Sequence, residues 1–67
     1  MNEEEQLISE AKKVAEAMEH YGGGFFSALG KAIYKADLDN LRRIHDAFPE
    51  KWKEYLDTHY HLSQSRM

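Results

Sequence analysis

Apolar residues recur along this chain at the three- and four-residue spacing of a helix face, and they do so in four separate runs. Leu7, Ile8, Ala11, Val14, Ala15 and Met18 form the first, which predicts an amphipathic helix from about Asn2 to His20. Asn2 stands where a side chain can accept from the Glu5 amide, and Glu3, Glu4 and Glu5 occupy the positive end of the helix dipole. Gly22 follows the last periodic residue and is the expected left-handed stop. Phe25, Phe26, Leu29, Ala32, Ile33 and Ala36 repeat the first set eighteen residues later and predict a second helix over about 24–36. Two matched stripes joined by a short glycine turn predict an antiparallel helical hairpin. Gly30 falls inside the second helix, where glycine costs about 1 kcal/mol relative to alanine, so the two helices are expected to approach closely there.

Asp37 is a suitable N-cap for a third helix over about 38–48, with Leu38, Leu41, Ile44, Ala47 and Phe48 inward and Arg42, Arg43 and Asp46 outward. Pro49 ends that helix and suits the first turn of a fourth, which runs to about Thr58 or a little further and carries Trp52, Tyr55 and Leu56 on one face. From His59 the periodicity fades, and residues 63–67 read as a frayed tail. The prediction is an all-α fold: a single domain over residues 1–62, built as a small bundle of three to four short helices with a helical hairpin at its core.

Size changes the picture next. Sixty-seven residues give a thin core, and at this length a single core seldom supplies more than about 3–5 kcal/mol, so disulfides, a metal or a partner subunit are usual aids. The chain has no cysteine, which removes disulfides and thiolate zinc sites and fits a reducing cytoplasm. A homo-oligomer is the remaining expectation. The acidic start Met1-Asn2-Glu3-Glu4-Glu5 is unlike a signal peptide, and no apolar run approaches the roughly 20 residues that span a bilayer. A net charge of -3 argues against duplex DNA as a partner, while the cations of the middle of the chain leave room for a local anion pocket.

The candidate chemistry gathers at the glycine run. The amides of Gly22, Gly23, Gly24 and Phe25 open the second helix, where unpaired N–H groups and the dipole favour phosphate or carboxylate, and Ser27 can add a hydroxyl. No strand signal precedes the glycines and no Gly-Lys-Ser/Thr follows them, so this is not a P-loop. Tyr21, Phe25 and Tyr34 offer stacking surface for a base, and Lys31, Lys35, Arg42 and Arg43 can neutralise phosphate. A plain interhelical turn with core phenylalanines and a solvated cationic face accounts for the same residues. Asp57, His59 and His61 alternate in a way that gathers ligands on a strand and splays them on a helix, so no metal site is expected. Ser27 lacks the strand-turn-helix frame of a nucleophile, and neither catalysis nor a cofactor is expected.

The stretch YGGGFFSALGKAIYKADLDNLRRIHDAFPEKWKEY covers about half the chain and resembles a class of very small helical proteins encoded by bacteriophages and prophages. The shared elements are the Tyr21 to Gly23 start, the Phe26 to Leu29 Phe-x-Ala-Leu helix opening, the Ala36-Asp37 cap and the Phe48 to Tyr55 Phe-Pro-Glu-x-Trp-x-x-Tyr end. Gly24 stands where a small residue such as serine is expected, and Leu38 where proline is expected. The resemblance implies an anti-defence role in the host cytoplasm: sequestering a phosphate-bearing, cyclic nucleotide signal in a homo-oligomer, or alternatively occluding a host or phage protein, with Trp52 and Tyr55 as interface anchors.

Overall fold

The structure is a computed structural model that describes the backbone of residues 2–64 and the side chains of residues 2–61. Its four helices are α1 (Glu3–Tyr21), α2 (Gly23–Lys35), α3 (Leu38–Ala47) and α4 (Pro49–Gln64). Each start has a local cause. The Asn2 side chain accepts from the Glu5 amide at 2.8 Å, and Asp37 accepts from the Asn40 amide at 2.9 Å, so α1 and α3 begin on side-chain caps. Pro49 opens α4, where its missing N–H leaves no helical bond unmade. The fold is the expected small all-α bundle.

α1 is the hub. It packs most extensively on α2, then on α4 and α3, while the contact between α3 and α4 is slight. Ala11, Val14, Ala15, Ala17 and Met18 of α1 are buried, and Ile33, Leu41 and Trp52 bring one buried side chain from each of the other helices. Being covered from three sides widens the buried arc of α1 beyond a single stripe, which explains why Ala17, outside the sequence pattern, is buried. Ile8 departs the other way: 43% exposed, it lies at the edge of the covered arc.

α1 and α2 form an antiparallel hairpin: Gly30 lies against Ala15 and Met18, while the later Tyr34 lines one cleft with the earlier Lys12 and Ile8. Gly30 is buried, and a methyl group there would lie 2.8 Å from the Ala15 carbonyl oxygen. Its helix-weakening effect is thus offset by backbone approach. Trp52 is the large aromatic of the core, and its indole Nε1–H donates to Glu10 Oε1 at 3.1 Å, satisfying its polar atom inside the fold. Phe26, half-buried, bridges to α4 through Tyr55 with ring centroids 5.7 Å apart.

One expectation about helix ends is corrected and one helix runs further than its periodicity carries it. Gly22 is not left-handed: with φ -84° and ψ -4° it still donates to Met18 O, and the positive φ of 67° falls on Gly23. One more helical bond is made before the chain turns. α4 also continues past Thr58 to Gln64, because tertiary contacts override the fading pattern. His59 Nε2 lies 3.6 Å from Glu16, and Lys13 Nζ donates to the Tyr60 hydroxyl at 3.1 Å, holding the second half of α4 on α1. Ser63 and Gln64 of the expected tail are helical, and residues 65–67 lie outside the described residues.

The glycines of α2 give a matched test. Gly30→Ala is expected to lower the urea midpoint despite an intrinsic helix gain of about 1 kcal/mol, because the new methyl meets backbone. Gly24→Ala, which meets nothing within 4 Å, is expected to raise stability by about 0.5–1 kcal/mol. Equal stabilisation by both would show that the helices do not approach as described.

Candidate functional site

The turn between α1 and α2 makes three different demands on its three glycines. A side chain at Gly22 would put its Cβ 2.6 Å from that of Phe26, so packing of the hairpin excludes one. Gly23 carries the left-handed φ of 67°. Gly24 is under neither constraint: its surroundings are open and its φ is ordinary. The fold therefore accounts for two glycines and leaves the third free of structural cause.

Electrostatics distinguishes the same turn. α1, α3 and α4 each have acid in the first turn, and α1 and α3 have side-chain caps as well. α2 has neither a side-chain cap nor an acidic residue in its first turn. The amides of Gly23, Gly24 and Phe25, with the positive end of the dipole behind them, are left to solvent or a ligand. Tyr21 at 56% and Phe25 at 63% exposure flank them. Phe25 is thus a surface ring rather than a core one, resting edge-on against Phe26 at 5.0 Å and Phe48 at 6.0 Å. Ser27 is half-buried on the first turns of α2.

The other candidate residues are not brought to this corner within one chain. Lys31 is exposed and lies about 10 Å further along α2 from Gly24, and Tyr34 about 15 Å. Arg42 pairs with Glu4 at 3.3 Å, at the end of α1 that lies about 25 Å from Tyr21. Arg43 pairs with Asp39 at 3.2 Å on α3. Tyr34 instead borders a largely apolar cleft of about 240 Å³ between α1, α2 and α3, with Ile8, Lys12, Ile33 and Leu41.

Two residues outside the predicted set do reach the corner. Phe48, the C-cap of α3, touches both Phe25 and Phe26, the second at 5.8 Å. Lys51 extends its ammonium to 5.9 Å from the Phe26 ring centre while pairing with Glu54 at 3.3 Å. Only the reversal at Phe48-Pro49 hints at this in sequence, since the contact is made between distant helices. Trp52, expected as an interface anchor, is only 2% exposed and belongs to the core; its size and its bond to Glu10 make it the natural filler of the α1/α4 seam. Among the described residues no three His, Cys, Asp or Glu side chains gather as a metal site, and no helix is long and apolar enough to cross a membrane.

Comparison with protein-family models, with curated proteins and with solved structures finds no match for this chain.

Tyr34 supplies a pH test of this surface. Partial desolvation, then the nearby carboxylates of Glu19 and Glu16, hold its phenol above the ordinary value of 10.0. The folded state keeps that proton more firmly than the unfolded chain does, so raising the pH beyond the ordinary tyrosine value favours unfolding. The urea midpoint of the wild type is expected to fall over this alkaline range more steeply than that of Tyr34→Phe. Parallel curves for the two proteins would contradict the placement of Tyr34.

Proposed function

We propose that this chain is a non-enzymatic binding protein that sequesters a phosphate-bearing, cyclic nucleotide at the glycine corner of a homo-oligomer. On the phage-protein resemblance, that activity serves as an anti-defence function in the host cytoplasm. The observation that carries the reading is Gly24. Neither packing nor backbone conformation requires glycine there, yet it keeps the uncapped, acid-free start of α2 open to close approach.

The roles follow from position. Gly23, Gly24 and Phe25 donate amide hydrogens to a phosphate, Ser27 lies one turn on, and Tyr21 and Phe25 present exposed rings for a base. Lys51, whose ammonium lies 5.9 Å from the Phe26 ring centre, is a cation beside this corner. Tyr34 and Arg42 lie too far along their helices to join from the same chain, so any part they take comes from a neighbouring subunit, which is how an oligomer completes such a site, and Arg43 is engaged by Asp39. Holding a ligand without turnover asks for no general base and no cofactor. The alternative, occlusion of a host protein, loses its strongest anchor with the burial of Trp52.

Gly24→Asp tests this without disturbing the fold. The position is open, its φ suits any residue, and a carboxylate in the first turn favours the helix by about 0.3–1 kcal/mol. Titration calorimetry with a panel of cyclic mono- and dinucleotides is expected to find a ligand for the wild type and at least a hundredfold weaker binding for Gly24→Asp, at unchanged or higher helicity. Gly23→Asp is expected to lose binding too, but the positive φ there adds strain of its own. A wild type that binds none of the panel, or a Gly24→Asp protein that binds equally well, would refute the reading.

A further inference from the structure

α2 and α3 follow each other in the chain with only Ala36 and Asp37 between them, yet they scarcely touch. Both lean on α1 and leave between them a groove of about 500 Å³. Its floor is made of Ala32, Ala36, Ile44, Ala47 and Phe48. Ala32 and Ala47, inward-facing in the sequence pattern, are exposed here because no helix fills the groove. Small side chains along such a floor let another backbone come close, and helix spacing depends on the side chains at the contact.

The rim of the groove is cationic. Lys35 and Arg43 border it, and Lys31 lies one turn above Lys35. α2 contains no Asp or Glu, and among the described residues Lys31 and Lys35 make no ion pair. The Arg43–Asp39 pair is exposed on both sides, at 76% and 71%, so it is readily exchanged for another carboxylate.

The complement lies on the same chain. Glu3, Glu4 and Glu5 are all exposed in the first turn of α1, and among the described residues Glu4 alone of the three has a cationic partner, Arg42. Ile8 follows one turn later at 43% exposure, on the helix face of Glu4 and Glu5. An acidic helix start with an apolar knob thus sits on one part of the molecule, and a cationic, alanine-floored groove on another.

We propose that a second copy of this chain docks head to tail, with its Glu3–Glu5 turn and Ile8 seated in the α2/α3 groove against Lys35 and Arg43. Two such grooves placed face to face would oppose like charges, so a two-fold dimer through this face is disfavoured. A contact between unlike surfaces repeats from copy to copy until it closes into a ring or runs on as a filament. The inference rests on the homo-oligomer part of the function proposed above and not on its ligand. Opposite charges at the contact also make the association sensitive to salt.

Sedimentation velocity over a concentration series tests it with two surface variants. The groove variant Lys35→Glu/Arg43→Glu and the knob variant Glu3→Lys/Glu5→Lys are each expected to associate at least tenfold more weakly than the wild type, with helical circular dichroism retained. Mixed together, they should recover association, because the intact knob of one meets the intact groove of the other and the two charge-reversed surfaces are again opposite in sign. High salt should weaken the wild-type assembly. A wild type that stays monomeric throughout overturns both this inference and the homo-oligomer. A groove variant that assembles like the wild type, or two variants that fail to pair when mixed, overturns this inference alone and leaves the homo-oligomer standing.

Discussion

The close approach of α2 to α1 at Gly30 is the contact on which the rest of the architecture depends. With a hydrogen in place of a side chain, the α2 backbone comes down onto the Ala15 carbonyl and the Met18 side chain. That fixes the hairpin spacing, and with it the depth to which Ile33 is buried beside Val14 and Ala15. α3 and α4 then have one composite surface to pack on, to which each adds a single buried hydrophobic side chain, Leu41 and Trp52. A chain this short has little redundancy in its core, so this one interhelical distance has consequences for all four helices.

The same tightness shapes the corner. A hairpin drawn close at Gly30 has its arms joined by Gly22 alone, and Gly22 must be free of a side chain because Phe26 passes directly against it. Turning within one residue pushes the left-handed conformation onto Gly23, inside the first turn of α2. The start of α2 is thereby left without a residue that could cap it, and its amides open outward between Tyr21 and Phe25. Structural economy and an uncapped, acid-free helix start arise here from a single constraint, and the third glycine, unneeded for the turn, is what carries the functional proposal.

Helix number, order and most boundaries were legible in the sequence because local rules governed them: the Asn2 and Asp37 caps, the Pro49 start and the three- and four-residue apolar spacing all act within one turn of chain. What periodicity did not reveal was decided between helices. The burial of Ala17 and exposure of Ile8 follow from how many neighbours α1 has, and the extension of α4 from contacts to Glu16 and Lys13. At the candidate site, the glycine run and flanking aromatics were evident as a segment. The cations were not, since Arg42 and Arg43 are engaged by Glu4 and Asp39, and Lys51 arrives only through the reversal at Phe48-Pro49.

Native mass spectrometry of the protein purified from phage-infected cells, compared with its denatured mass, tests the central functional claim most directly. The account predicts a discrete oligomer that carries added mass and releases a phosphorylated nucleotide when the subunits unfold. A bare monomer, or an assembly whose mass is that of the polypeptide alone, would contradict it.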